Sequence, residues 1–231
     1  TAEDSIWRGA EAEFAAFLSD LPIAPVTSND WGIGNSPLDE GLTIPAQVNY
    51  VGKGANLKAL GFDLTGAASV AIKYLNTTWL WDKVRVQGGA YGGSSRFDIV
   101  SGNFAFLSYR DPNLLKTLDA YDGSAAALRQ PVGETELTRS IIGVVGDMDP
   151  YQFPDAKGYS SMWRELTGTT DLLRQQRRDE VLATTGKDFL TLADALEAVA
   201  REGRVVVMGN AAAIEKANAE RGGFLRVSKV L

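Results

Sequence analysis

Trp79-Leu80-Trp81-Asp82-Lys83-Val84-Arg85-Val86-Gln87-Gly88-Gly89-Ala90-Tyr91-Gly92-Gly93 joins the end of an apolar helix to a tyrosine set among glycines. Trp79, Trp81 and Val84 anchor the helix, Arg85 leaves its last turn, and Tyr91 opens the next element between two Gly-Gly pairs that let another backbone approach closely. Five glycine or alanine neighbours around one tyrosine are costly in conformational entropy and need a reason. A guanidinium fork binds a carbonyl or carboxylate, and a phenolic hydroxyl donates to a developing oxyanion, so both residues suit acyl chemistry. The residues alone leave open a plainer reading, a surface arginine and a core tyrosine.

Outward from that stretch, residues 67–85 carry Val70, Ile72, Tyr74, Leu75 and Leu80, apolar on nearly every side and too long for a strand. This predicts a largely buried helix, stopped by Gly88-Gly89. Residues 90–97 and 103–109 read as a hairpin joined by Asp98-Ile99-Val100-Ser101-Gly102, the second strand alternating Phe104 and Phe106 against Ala105, Leu107 and Tyr109. Asp111-Pro112 offers an N-cap and a first-turn proline for a helix of roughly four to five turns carrying Leu114, Leu118, Tyr121 and Leu128. Helices are expected at 135–145, 157–167, 170–184, 187–202 and 211–220, with strands at 204–208 and 224–227. Upstream, a strand from Ile44 is ended by Gly52-Lys53-Gly54. Residues 1–20 read as an amphipathic helix with Ile6, Phe14, Phe17 and Leu18 on its apolar face. The order predicts an α+β sandwich, a mainly antiparallel sheet with helices packed on one face. Residues 1–41 are taken as a lead-in helix and loop, and 42–231 as one domain.

Composition excludes several classes. The balance of 45% hydrophobic and 23% charged residues is that of a globular protein, and no apolar run approaches the roughly 20 residues that a bilayer crossing needs. A net charge of −6 supplies no basic stripe for nucleic acid. With 0 histidines and 0 cysteines, the chain cannot build a serine triad, a thiolate site or a histidine-ligated zinc site by itself.

Other motifs read as structural. Gly52-Lys53-Gly54 lacks the remaining glycine of a dinucleotide fingerprint. Asp147-Met148-Asp149-Pro150 lacks the spaced oxygen ligands of a calcium loop and reads as a capped turn. Arg174, Arg177 and Arg178 adjoin Asp179 and Glu180 and read as a solvated helix surface rather than a basic face for an acidic partner. Arg110-Asp111-Pro112-Asn113 reads as helix capping.

Taken together, Thr78 to Gly93, Leu107-Ser108-Tyr109-Arg110-Asp111-Pro112-Asn113-Leu114, Ser140-Ile141-Ile142-Gly143 and Pro154-Asp155-Ala156-Lys157-Gly158 resemble the C-terminal domain of presequence-protease-like enzymes. These belong to the pitrilysin and insulin-degrading-enzyme superfamily of zinc peptidases. The resemblance runs from about Pro45 to the C-terminus. It implies a metallopeptidase-type α/β sandwich, one of four related domains in two halves that close around a chamber. It also implies that zinc is bound by the N-terminal half through His-x-x-Glu-His and a distal Glu, with none bound by this chain, which alone is expected to be inactive. The family's catalytic-support Arg and Tyr fall on Arg85 and Tyr91, Arg85 holding a substrate carbonyl and Tyr91 hydrogen-bonding the oxyanion. Gly88, Gly89, Ala90 and Gly92 are the implied substrate-binding backbone. The expected partners are unstructured peptides and the N-terminal half, with no nucleic acid and no membrane, and with dimerisation of the isolated chain as one consequence of exposed faces. The expected location is soluble, either bacterial cytoplasm or organelle matrix. The competing reading is a stand-alone inactive peptide-binding or assembly subunit.

Overall fold

Phe104, Phe106 and Ser108 are buried while Asn103, Leu107 and Tyr109 are exposed, so the period-2 alternation of residues 103–109 becomes a two-faced strand. The computed structural model describes residues 3–25 and 38–230. In chain order its elements are α1 (Asp4–Asp20), β1 (Glu40–Thr43), β2 (Tyr50–Asn56), α2 (Ala67–Thr77), a π-helical turn (Trp81–Val86), β3 (Gly92–Phe97), β4 (Asn103–Tyr109) and α3 (Leu115–Asp122). These are followed by α4 (Ser124–Leu128), α5 (Glu134–Met148), α6 (Pro154–Leu166), α7 (Asp171–Leu182), α8 (Gly186–Glu202), β5 (Arg204–Gly209), α9 (Ala211–Glu220) and β6 (Arg226–Lys229).

The strands form one six-stranded sheet in the order β3-β4-β2-β5-β1-β6. The β3–β4, β4–β2 and β2–β5 pairs are antiparallel, whereas β1 runs parallel to both β5 and β6. This is the expected α+β architecture of a mainly antiparallel sheet, with a parallel edge that the sequence did not announce. Helices cover one face. Phe189, Leu192, Leu196 and Val199 of α8 and Val70, Ile72 and Leu75 of α2 are buried with Val51, Phe104, Phe106, Val205 and Val207 of the strands. Among the strands' buried residues is Lys53, whose Nζ donates to Asp122 Oδ1 at 2.6 Å and to the Ala200 carbonyl at 2.9 Å. That pairing satisfies a charge that burial would otherwise penalise.

The chain divides into two compact units, one holding α1 and α6 and the other the sheet with the remaining helices. Helix α1 forms where expected, but it buries none of its residues: Ile6, Phe14, Phe17 and Leu18 are all exposed, with Trp7 stacked on Phe14 at 5.5 Å. Helix α6 begins with Pro154 in its first turn, where the missing N–H costs nothing, and likewise buries none of its residues. The loop expected after α1 lies largely outside the described residues.

Three expectations are corrected. The strand predicted from Ile44 begins instead at Tyr50, and Gly52 and Gly54 sit inside it. They do not end the strand. A Cβ on Gly54 would lie 2.4 Å from the Phe104 carbonyl oxygen, so a glycine permits the close strand approach. The single helix predicted over 67–85 is broken after Thr77 and ends in the π-helical turn, where Trp81, Arg85 and Val86 are exposed. The helix predicted from Asp111 starts at Leu115 and is interrupted at Gly123, packed so closely that a Cβ there would meet Trp79 at 2.8 Å. Asp111 is not its cap. By contrast α8 opens on the capping box of Thr185 and Asp188.

Candidate active-site segment

The connection from the π-helical turn to β3 carries Arg85 and Tyr91. A π-helical turn widens the backbone by one residue, which favours its occurrence at functional positions. Here it places Val84 inward, buried, and Trp81 and Arg85 outward. The Arg85 guanidinium lies over the Trp81 ring, 4.1 Å from its centroid. Its charge is held against a π face and not in an ion pair, since among the described residues no carboxylate pairs with it.

The backbone between the two residues is spent on itself. Gly89 N–H donates to the Arg85 carbonyl at 2.9 Å, Ala90 N–H to Val84 at 3.1 Å, and Tyr91 N–H to Tyr109 at 3.1 Å. A Cβ on Gly88 would fall 2.4 Å from the Val84 carbonyl oxygen, and Gly89 has φ of 77°, in the left-handed region. Gly93 packs so tightly that a Cβ would meet Val84 at 2.6 Å, whereas nothing lies within 4 Å of that position on Gly92. The glycines therefore have different tasks. Gly88, Gly89 and Gly93 let the turn close, while Gly92 faces open space where a second backbone can approach. The Gly89 and Ala90 amides already have acceptors within the turn.

Tyr91 is 67% exposed, and among the described residues its hydroxyl has no hydrogen-bond partner. Its ring is held edge-on by Tyr109 at 5.8 Å, and Tyr109 is in turn edge-on to Tyr50 at 5.5 Å. The tyrosine is thus not the core residue of the plainer reading. Its ring is braced and its hydroxyl is free. Arg110 follows Tyr109 with φ of 48°, uncommon for a residue other than glycine, and its carbonyl is a second acceptor for Tyr91 N–H at 3.4 Å.

Behind the segment lies a buried polar clamp. Asp111 is fully buried and accepts from Asn113 N–H at 2.9 Å and Thr117 Oγ1–H at 2.7 Å. Its backbone is bridged in both directions to Asn49. Asn49 Nδ2 donates to the Asp111 carbonyl at 3.2 Å, and Asn113 Nδ2 donates to the Gly88 carbonyl at 2.6 Å. Arg110-Asp111-Pro112-Asn113, read from sequence as helix capping, instead anchors the Gly88 turn through Asn113. The available signal was the Asx-turn chemistry of Asp111 and Asn113, which competes with helix initiation.

The remaining motifs resolve separately. Asp147 pairs with Lys73 at 2.8 Å and Asp149 with Arg178 at 2.5 Å, so the two carboxylates are neutralised by different cations. The Arg178 hydrogen bonds hold the Asp149 carboxyl below the usual carboxylate range. No group of three potential metal-ligating side chains occurs among the described residues, and a chain with 0 histidines and 0 cysteines lacks the nitrogen and sulfur donors that zinc prefers. The residues present do not fit a zinc ion. Among the described residues no helix is long and apolar enough to cross a membrane.

The fold is similar to that of solved M16 peptidase domains. A peptidase M16 inactive domain from Pseudomonas fluorescens superposes with a TM-score of 0.60 over 88% of this chain and 50% of that one, at 17% identity. A protease from Helicobacter pylori gives a TM-score of 0.60 over 90% and 53%, at 13% identity. At the level of sequence, residues 39–212 match the family described as the PreP C-terminal domain, and the chain belongs to that family. It is 49% identical over 233 residues to presequence protease 1, chloroplastic/mitochondrial, of Arabidopsis thaliana, covering 100% of this chain and 22% of the relative. It is 29% identical over 199 residues to the mitochondrial presequence protease of Saccharomyces cerevisiae, covering 81% and 19%. The chain spans about a fifth of the length of these relatives.

Proposed function

We propose that residues 42–231 are the C-terminal, non-metal-binding domain of a zinc metalloendopeptidase acting on unstructured peptides, and that Arg85 and Tyr91 are its contribution to the active site. One observation carries the reading. Two polar side chains without a polar partner among the described residues stand exposed on a turn that is locked by glycines, internal hydrogen bonds and a buried clamp. Such pre-organisation is wasted on a solvated surface and useful for charge that develops elsewhere. The Arg85 fork binds a substrate backbone carbonyl and orients the peptide, and the Tyr91 hydroxyl donates its proton into a hydrogen bond with the oxyanion of the hydrolysed amide. Gly92 leaves room for the substrate backbone. The zinc ion of the enzyme is bound by another segment, the N-terminal half, and the roles of Arg85 and Tyr91 are binding and hydrogen-bond donation. The relatives named for chloroplasts and mitochondria support an organelle matrix as the location, with a bacterial cytoplasm as the other setting.

The test is made in the longer enzyme. Tyr91→Phe and Arg85→Ala each lower kcat/KM for an unstructured peptide, Tyr91→Phe by about 100-fold, the typical cost of one oxyanion donor. Zinc content by elemental analysis stays unchanged. Near-unaltered turnover for both variants rejects the roles, and a chain that pairs with a zinc peptidase only as an inactive subunit gives that outcome.

A further inference from the structure

The arginines read from sequence as a solvated surface do not behave as one. Arg174, Arg177 and Arg178 are half-buried, and all three line a cavity of about 560 Å³ formed by α7, α5, the N-terminal turn of α2 and the turn between β3 and β4. That size falls within the range of small-ligand sites. Its apolar lining is Ile99, Val144, Met148 and Val181, of which Val144 and Val181 are buried. Strand β3 separates this cavity from Tyr91 by about 20 Å, the length of six extended residues.

The three arginines differ in what they face. Arg178 is held by both Asp149 oxygens, at 2.7 and 2.5 Å, and Arg174 by Asp171 at 2.8 Å. Arg177 has no ion pair and no side-chain hydrogen bond among the described residues. Of the acidic groups around it, Asp171 on the same lining is held by Arg174, and Asp98 has its carboxyl occupied by Ser101 and the Val100 amide. Ser69, in the first turn of α2, offers a hydroxyl on the same lining; the amides of that turn are already taken, Gly66 N–H by Glu180 Oε2 at 2.6 Å and Ser69 N–H by the Gly66 carbonyl at 3.0 Å. A half-buried guanidinium with an empty fork beside an apolar wall is unusual in a chain of net charge −6, where carboxylates are in excess.

We infer that this cavity binds an apolar carboxylate, with the carboxylate in the fork of Arg177 and the apolar group against Val144, Met148 and Val181. The geometry of the fork matches a planar carboxylate, and the apolar lining selects a hydrocarbon or aromatic body behind it. Two sources share that chemistry: the C-terminal residue of a peptide with a large apolar side chain, and a free small acid. The inference is independent of the roles given to Arg85 and Tyr91.

The experiment titrates the protein with N-acetyl-phenylalanine and with its C-terminal amide, following backbone amide resonances of Ser69 and Ile99 and the methyl of Met148 by NMR. Saturable shifts are expected, with the acid binding about tenfold or more tightly than the amide, the advantage of a charge-assisted hydrogen bond. Arg177→Gln abolishes that preference while resonances away from the cavity stay in place. Equal binding of acid and amide by the unaltered protein, or no saturable shift at these residues, overturns the inference without any variant. Retention of the preference by Arg177→Gln overturns it as well. A tetrapeptide acid ending in phenylalanine that binds more tightly than N-acetyl-phenylalanine assigns the site to a peptide terminus, and equal affinity assigns it to a free acid.

Discussion

The two faces of β4 use neighbouring residues for opposite ends. On the helix side, Phe104 and Phe106 meet at 4.8 Å and Phe106 stacks on Tyr121 at 4.8 Å and 7°, all three buried. Burial raises the Tyr121 hydroxyl well above its ordinary pKa, and that hydroxyl donates to the Val51 carbonyl. On the open side, Tyr109 is 46% exposed and braces Tyr91 edge-on. The aromatic pairing is similar on both faces, and the water content is not. One face converts aromatic area into stability, and the other spends rigid aromatic contact on holding a free hydroxyl in place.

The sharpest way to break this contrast is to truncate one residue on each face. Phe106→Ala is expected to lower unfolding free energy by about 3–5 kcal/mol in urea titrations, as for other large buried aromatics. Tyr91→Phe is expected to leave the midpoint where it was, because its hydroxyl has no partner to lose. A comparable loss from both would erase the distinction. The adjacent glycines give a finer version. Gly93→Ala forces a methyl against Val84 and is expected to cost about 1–3 kcal/mol, whereas Gly92→Ala changes stability by less than about 0.5 kcal/mol. In the longer enzyme, Gly92→Ala raises KM for the peptide if the open position admits a substrate backbone, and an unchanged KM removes that role.

Smaller effects follow. Trp81→Ala removes the ring under Arg85, an exposed cation–π contact worth about 0.5–1 kcal/mol, so kcat/KM of the longer enzyme is expected to fall a few-fold with no change in zinc content. Smallest is a pH effect at the far end of the hairpin. Ser101, and then the Val100 amide, lower the Asp98 carboxyl below its unfolded value. Its stabilisation is therefore present above the unfolded pKa of about 3.9 and lost as pH falls through the lower folded value. Thermal midpoints measured below about pH 4 should decline less steeply for Asp98→Asn than for the unaltered chain. Identical slopes would remove Asp98 from the turn's stability.

Much of this was legible in residues whose neighbours lie close in sequence. The alternation at 103–109 reports local geometry, and the structure has it where the pattern falls. The capping box before α8 and the proline opening α6, which starts at Pro154 and not at 157 as expected, are equally local signals that the expected helix bounds did not use. Gly52 and Gly54 were misread because a glycine that ends a strand and one that admits a neighbouring strand look alike until Phe104 and Ala105 are in place. Asp111 was misread for a related reason. Its acceptors serve Asn113 and Thr117, within six residues, but its backbone answers to Asn49, 62 residues away.

By itself, the sequence determined the two-faced strands, the helical periodicities, the family, and the exclusion of histidine and cysteine chemistry, because composition and short-range spacing suffice for each. Only the tertiary structure decided that Arg85 rests on Trp81, that Tyr91 is braced by Tyr109 with its hydroxyl free, and that Gly88 is clamped by Asn113. It alone separated Arg177 from the paired arginines beside it. Charge partners, ring contacts and open space arise when distant segments meet on the sheet, and no local pattern of residues encodes which of them will be left without a partner.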